Sequence, residues 1–137
     1  MREGLRAASG ARILIAEDEF LVSEMICDMV AGLGYVVAEQ AASLAALREA
    51  LAHGRFDCVL LDQRLGSEMT VDAADILVER GVPFAFVTGY LESSEPRHAA
   101  VPVLHKPFSV DQLRVTLERL LGSPPALRVV AERKQAG

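Results

Sequence analysis

Short runs of apolar residues alternate along this chain with longer segments in which apolar residues recur at steps of three and four. The first run, residues 12–16, is apolar and stops at three consecutive acidic residues, as a buried parallel strand does at the edge of a sheet. Between residues 21 and 33 the spacing predicts an amphipathic helix, with Gly32 and Gly34 at its C-terminal end. Further strands are predicted at residues 35–38, 56–61, 83–88 and 101–104.

The remaining helices are indicated mainly by their ends. Ser43 is a predicted N-cap, Gly81 follows a helix in the C′ position, and Ser109 with Gln112 forms a capping box. These signals predict helices over residues 44–51, 70–80 and 110–121, and a frayed helix within residues 91–100, where Pro96 interrupts the pattern. Five strands alternating with helices imply right-handed βαβ units. The predicted fold class is therefore α/β, a doubly wound five-stranded parallel sheet.

Composition and charge exclude several classes of protein. The 137 residues suit one domain, and 14 Lys and Arg against 19 Asp and Glu give a net charge of −5 without a basic run, which argues against direct nucleic-acid binding. The apolar runs reach only strand length, whereas a membrane span needs about 20 residues. Residues 1–10 lack the apolar core of a secretory signal, so we expect a cytoplasmic protein. Cys27 and Cys58 have no CxxC spacing and are predicted to be core thiols.

Polar residues follow four of the predicted strands at their carboxyl ends, where open α/β sheets place their functional crevice. Glu17 and Asp18 follow the first strand, Asp62 the third, Thr88 the fourth and Lys106 the fifth. Converging carboxylates repel one another and need a compensating cation, and their hard oxygen atoms suit Mg²⁺. A carboxylate flanked by Mg²⁺, an ammonium and a hydroxyl can receive a phosphoryl group, which predicts Asp62 as the acceptor.

These residues, in this order, resemble the response-regulator receiver domains of two-component signalling over residues 11–122. The resemblance implies a flavodoxin-like (βα)₅ fold with strand order 2-1-3-4-5. It also implies a phosphoacceptor and a metal site, with these roles: Asp62 as phosphoacceptor, Asp18 and Asp62 as direct Mg²⁺ ligands, the Arg64 main-chain carbonyl as a further ligand, Glu17 acting through water, and Thr88 and Lys106 holding phosphoryl oxygens. The Lys106–Pro107 peptide bond is often cis in this family.

The sequence departs from the common receiver pattern at the signal-transmitting position and in the loop after Asp62. Val103 occupies the place of the usual Tyr or Phe, and Tyr90 is a candidate substitute that could equally line the loop or control access to Asp62. Gly66 stands where proline is common, and Thr70 where glycine is common. The motif from Phe86 to Tyr90 is similar to a subgroup of stand-alone receivers with a Phe-Ala-Thr-Gly signature.

The resemblance implies a single-domain response regulator in a phosphorelay, with residues 1–10 as an extension, residues 123–137 as a short tail, and no output domain. The expected partners are a sensor histidine kinase or histidine phosphotransfer protein and a downstream protein target, with no nucleic acid or membrane and with a homodimer left open. The chain is not expected to be an enzyme beyond self-phosphorylation and self-dephosphorylation.

Three alternatives remain at this point. An aspartate-nucleophile phosphatase usually has a second Asp two residues after the nucleophile, where this chain has Arg64. A flavodoxin-like FMN carrier would need a phosphate-binding loop where this chain has three acids at residues 17–19. A receiver-like module that binds a partner without phosphorylation fits the same residues. The three histidines show no metal-ligand spacing, which predicts ordinary surface or capping roles for His53, His98 and His105.

Overall fold

A computed structural model describes residues 10–89 and 98–122 of the chain. Seven strands occur in this part: Arg12–Ala16 (β1), Val36–Ala41 (β2), Cys58–Asp62 (β3), Arg64–Leu65 (β4), Glu68–Met69 (β5), Phe84–Thr88 (β6) and Val103–His105 (β7). The same described residues form four helices: Phe20–Gly32 (α1), Leu44–His53 (α2), Val71–Arg80 (α3) and Val110–Leu121 (α4). Within the described ranges, no helix has the length and apolar character needed to span a membrane.

Five strands form one parallel sheet in the order β2-β1-β3-β6-β7. Counted along the chain among these five strands, the order is 2-1-3-4-5, so the predicted doubly wound α/β fold is confirmed. The register pairs Asp62 with Val87 and Thr88 with His105. The carboxyl ends of β3, β6 and β7 therefore lie side by side at one edge of the sheet.

Helices cover the sheet on both faces. Successive side chains in a strand point in opposite directions, so each strand contributes residues to both cores. Ile13 and Ile15 join the core under α1 and α4, whereas Leu14 and Ala16 join the core under α2 and α3. Fully burying one aliphatic side chain stabilises a fold by about 1.5–3 kcal/mol. The helices contribute Ile26, Val30, Leu113 and Leu117 to the first core, and Leu47, Leu51, Ala74 and Leu77 to the second.

The predicted helix ends are confirmed where the local chemistry was specific. The Ser43 side chain accepts a hydrogen bond from the Ala46 amide, and both hydrogen bonds of the Ser109–Gln112 capping box are present. Gly81 ends α3 with a φ of 69°, a left-handed conformation that costs glycine little. Cap chemistry involves neighbours in sequence, so it could be recognised without knowing the fold.

The predicted strand boundaries are shifted in places, and one small element was missed. The strand predicted at residues 35–38 extends over Val36–Ala41, and the one predicted at 101–104 is Val103–His105. The antiparallel pair of β4 and β5 was not predicted, since two-residue strands have no periodicity to detect. The helix predicted within residues 91–100 falls largely on residues outside the described ranges, as do most of the N-terminal extension and the whole C-terminal tail.

His98 differs from the ordinary surface or capping role predicted for it, because the fold buries it to 6% exposure. Its Nε2 atom lies 2.8 Å from Asp75 Oδ1 of α3. Its ring packs at centroid distances of 6.0 Å from Phe84 and 6.1 Å from Phe86 of β6. His98 therefore joins α3 to the sheet, a role that spacing along the sequence could not reveal.

We expect His98→Ala to reduce the free energy of unfolding by about 2 kcal/mol, since it removes buried aromatic packing and a hydrogen bond to a carboxylate. The measurement is urea unfolding followed by circular dichroism. His53→Ala is the matched control, because the side chain of His53 is 74% exposed and its removal should change stability little. Equal stability of the two variants would contradict the structural role of His98.

Cys58 is expected to be almost unreactive in the folded protein, because burial, with a small addition from the charge of Asp57, raises its pKa to about 12. Such a thiol forms roughly a thousandfold less thiolate at pH 8 than an ordinary cysteine. The test is the rate of labelling by a disulfide reagent in a Cys27→Ser variant, with and without denaturing urea. The Cys58→Ser variant, which keeps the half-buried Cys27, is the control. Similar rates for native and unfolded Cys27→Ser would contradict the prediction.

Candidate functional site

Three acidic side chains meet at the carboxyl edge of the sheet. Glu17 and Asp18 follow β1, and Asp62 is the last residue of β3, which pairs directly with β1. One carboxylate oxygen of each residue lies within 4.8 Å of those of the other two. Glu17 and Asp62 are buried, at 3% and 8% exposure, whereas Asp18 is exposed. The sheet therefore brings together the three acids that the sequence had placed in one crevice.

Lys106 follows β7 and extends into this acidic cluster. Its Nζ atom lies 2.5 Å from Glu17 Oε1 and donates a hydrogen bond of 2.9 Å to Asp62 Oδ2. Its backbone amide donates to the carbonyl oxygen of Thr88 at 2.8 Å, which fixes the lysine backbone against the end of β6. The following peptide bond, Lys106–Pro107, is cis, in agreement with the sequence resemblance. One ammonium group thus bridges two buried carboxylates.

The charges in the cluster change the proton affinities of its members. Burial raises the pKa of Glu17 above 4.5, with a further contribution from the charge of Asp62, although Lys106 and the Glu19 amide oppose the rise. Burial alone would lower the pKa of Lys106, but hydrogen bonds to Glu17 and Asp62 and their charges raise that pKa above 10.5. Lys106 is therefore held in its charged form at neutral pH.

Asp18 has a different environment from Glu17. Its partial burial would raise its pKa, but this effect is outweighed by hydrogen bonds, the largest from the Gly66 amide, which lower the pKa below 3.8. The Gly66 amide donates to Asp18 Oδ2 at 2.9 Å. Asp18 is thus an exposed carboxylate that remains ionised at neutral pH and faces solvent at the mouth of the cluster.

The loop after Asp62 folds back on the same residue. The Arg64 amide donates to Asp62 Oδ1 at 3.2 Å, and the Thr70 hydroxyl donates to the Asp62 main-chain oxygen at 2.6 Å. Gly66 adopts a φ of 63°, which its lack of a Cβ permits at the turn between β4 and β5. In the sequence, Gly66 and Thr70 are visible only as departures from a common pattern, and their bonds to the acidic residues were not predicted.

The other predicted residues lie around this centre. Thr88 is buried at the end of β6, the strand that pairs directly with β3, which ends at Asp62. Val103 in β7 pairs with Phe86 and packs against the core under α2 and α3. Tyr90, the candidate for the missing aromatic residue, lies outside the described residues.

The donor atoms of the cluster fit Mg²⁺. Carboxylate oxygens are hard ligands, and Mg²⁺ in proteins is bound by a few carboxylates while it keeps several waters. Glu17, Asp18 and Asp62 present such oxygens close together, and exposed Asp18 leaves the cluster open to solvent on one side. The arrangement can hold a divalent cation beside an ammonium group, which together attract an anionic substrate.

Comparison with known proteins agrees with this geometry. Residues 13–118 match the family model described as the response regulator receiver domain. The chain is 31% identical over 118 residues to the transcriptional regulatory protein PdtaR of Mycobacterium tuberculosis. That match covers 82% of this chain and 57% of PdtaR, so the chain spans less than two thirds of the length of this relative.

Two solved structures show the same fold at higher coverage. The solution structure of SdrG from Sphingomonas melonis Fr1 is 33% identical with a TM-score of 0.75, covering 83% of this chain and 98% of SdrG. The receiver domain of the sensor histidine kinase PA1611 from Pseudomonas aeruginosa PAO1 is 29% identical with a TM-score of 0.69, covering 83% and 99% of the two chains. The latter structure has a magnesium ion coordinated in its active site cleft.

We expect Lys106→Met to lower the free energy of unfolding of the metal-free protein by about 3 kcal/mol at pH 7, because it leaves buried carboxylates without their cation. The pKa of Lys106 is raised above 10.5 in the folded state, so its stabilising contribution is full below pH 10.5 and is lost as the pH rises through the folded-state pKa.

The measurement is urea unfolding of both proteins in EDTA across a series of pH values from 7 to beyond 10.5. The difference in the free energy of unfolding between the wild type and Lys106→Met should narrow at the highest pH values. Arg48→Met, which removes an exposed cation from α2, is the control and should show no such pH-dependent difference. Wild-type stability in Lys106→Met at pH 7 would contradict the expected role of the ion pair.

Proposed function

This chain belongs to the response regulator receiver domain family, and on that premise we propose that it accepts a phosphoryl group on Asp62 in an Mg²⁺-dependent reaction. The donor is a sensor histidine kinase or a histidine phosphotransfer protein. The phosphorylated domain then acts through contacts with a downstream protein. Receiver domains are signalling modules, so the chemistry serves to change the state of the domain.

The observation that carries the proposal is the contact of Lys106 with Asp62 inside the acidic cluster. The Nζ atom of Lys106 lies 2.9 Å from Asp62 Oδ2. Its positive charge can therefore stabilise the negative oxygens of a phosphoryl group added to Asp62. The acids of the cluster offer oxygen ligands for a divalent cation within 4.8 Å of one another. The magnesium ion in the related PA1611 receiver domain supports the same assignment of the metal.

The proposed reaction is a transfer between two side chains. The bond between phosphorus and a histidine nitrogen of the donor breaks, and a bond forms between phosphorus and a carboxylate oxygen of Asp62. Lys106 and the hydroxyl of Thr88 stabilise the negative charge on the phosphoryl oxygens. Mg²⁺, when bound, supplies further neutralisation of that charge; its proposed protein ligands are Asp18, Asp62 and the Arg64 main-chain carbonyl, with Glu17 acting through water.

The proposed output follows from the added charge. A phosphoryl group brings about two negative charges to a site where Lys106 already contacts Glu17 and Asp62. Redistribution of Lys106 and Thr88 towards the phosphoryl oxygens changes the surface near the ends of β6 and β7. Val103 cannot act as an aromatic switch, and we propose Tyr90 as the residue that takes part of that role.

Intact-mass spectrometry after incubation with acetyl phosphate and Mg²⁺ tests the proposal. We expect one added phosphoryl group on the wild type, none on Asp62→Asn, and none when EDTA removes the metal. Asp28→Asn, which changes an exposed acid on α1, is the matched control and should be modified like the wild type.

Transfer from a phosphorylated histidine phosphotransfer protein is the second arm of the experiment, because a small donor tests only the intrinsic chemistry. Absence of an adduct from both donors would favour a receiver-like module that binds its partner without phosphorylation. Modification that persists in Asp62→Asn would refute the assignment of the acceptor.

A further inference from the structure

Thr70 connects the backbone of Asp62 to the first turn of α3. Its side chain is fully buried, and its hydroxyl donates to the Asp62 carbonyl oxygen at 2.6 Å. Its own amide donates to the Gln63 carbonyl oxygen at 3.0 Å, and its carbonyl oxygen accepts from the Ala74 amide at 3.0 Å. One residue therefore ties the end of β3, the loop and the helix together.

The hydroxyl of Thr70 does not serve the helix in the usual way. Thr70 is the N-cap residue of α3, a position where a threonine oxygen normally accepts a hydrogen bond from an amide of the first turn. No such side-chain cap is present here, and Thr70 has a φ of −103° and a ψ of 11°. The hydroxyl instead donates a hydrogen bond to the main-chain carbonyl oxygen of Asp62, so it supports the backbone of the acidic site and leaves the helix end uncapped.

A second contact holds the tip of the same loop. The Gly66 amide bonds to Asp18 Oδ2, and the Leu65 side chain is buried at 2% exposure. The loop from residue 63 to residue 70 is thus fixed to two acids of the cluster. Its tip is bonded to Asp18, and its last residue is bonded to Asp62. Arg64 lies before the tip, between Asp62 and Gly66, and its amide donates to Asp62 Oδ1.

We propose that Thr70 is a positioning residue whose hydroxyl sets the geometry of Asp62 and of the Arg64 backbone for metal binding and phosphoryl transfer. The proposal deepens the proposed function and rests on it. A carbonyl held by a buried hydroxyl fixes the backbone from which the Asp62 side chain departs, and a loop closed at residue 70 fixes the Arg64 backbone. Without the hydroxyl both groups sample more positions, so the metal site loses preorganisation.

The test compares Thr70→Ser with Thr70→Ala, which differ only by the hydroxyl group. Mg²⁺ affinity is measured without any phosphodonor, by titrating MgCl₂ and following the Arg64 and Gly66 amide resonances. We expect Thr70→Ala to bind Mg²⁺ about fivefold more weakly than Thr70→Ser. This ratio corresponds to the net free energy that one intramolecular hydrogen bond typically contributes. Hydrogen exchange of the same two amides in EDTA should be faster in Thr70→Ala.

Two controls separate positioning from stability. All variants are compared well below their melting temperatures, and Thr70→Val replaces Thr70→Ala if the cavity left by alanine prevents folding. Thr116→Val removes a half-buried hydroxyl from α4 and should leave Mg²⁺ affinity unchanged. A lower melting temperature for Thr70→Ala with the Mg²⁺ affinity and amide exchange of Thr70→Ser would overturn the proposal.

The phosphorylation rate with acetyl phosphate at saturating Mg²⁺ gives a second reading of the same variants. We expect Thr70→Ala to react several-fold more slowly than Thr70→Ser. If the wild type is phosphorylated and the two variants match in rate and affinity, the role of Thr70 is refuted while the proposed function stands. If the wild type is never phosphorylated but the affinities differ, the positioning role is supported and the proposed function fails.

Discussion

Three carboxylates can share one small space only if positive charge compensates their repulsion, and Lys106 supplies that charge. Its Nζ atom lies 2.5 Å from a buried oxygen of Glu17 and 2.9 Å from one of Asp62. The rest of the site depends on this contact, because buried Glu17 would otherwise be an uncompensated charge. The same ammonium donates a hydrogen bond to Asp62, so two buried acids share one cation.

The order of the strands makes this contact available. Glu17 follows β1 and Asp62 ends β3, which are neighbours, while Lys106 follows β7 at the sheet edge, two strands away from Asp62. A long side chain is therefore needed to reach Asp62 past the end of β6, whose last residue is Thr88. Apolar residues on both faces of the sheet leave the strand ends as the place for polar groups, so fold stability and the chemistry of the site occupy separate parts of the molecule.

The loop after Asp62 is bonded to two acids of the cluster. Gly66 and Thr70 stand where other receivers commonly have proline and glycine, and both bond to acids of the cluster. A hairpin held at its tip and at its end can orient backbone groups as well as side chains. His98 adds a second link between α3 and the sheet, through Asp75 and the rings of β6. The helix α3, which follows Asp62 in the chain, is consequently attached both to the site and to the core.

The sequence is enough to predict the fold class, the helix caps and the residue types at the strand ends, because hydrophobic periodicity and cap chemistry act between near neighbours in the chain. It therefore predicted Glu17, Asp18, Asp62, Thr88 and Lys106 at one edge of the sheet. Which atoms of these residues meet depends on contacts between parts of the chain that are far apart in sequence. The bond from Lys106 to Asp62 spans 44 residues, and the one from Gly66 to Asp18 spans 48. The burial of His98 depends on such a distant contact, since its bond to Asp75 spans 23 residues. The strands β4 and β5 and the hydroxyl bond of Thr70 join residues closer in sequence, but they are too short to produce a periodic signal in a single sequence.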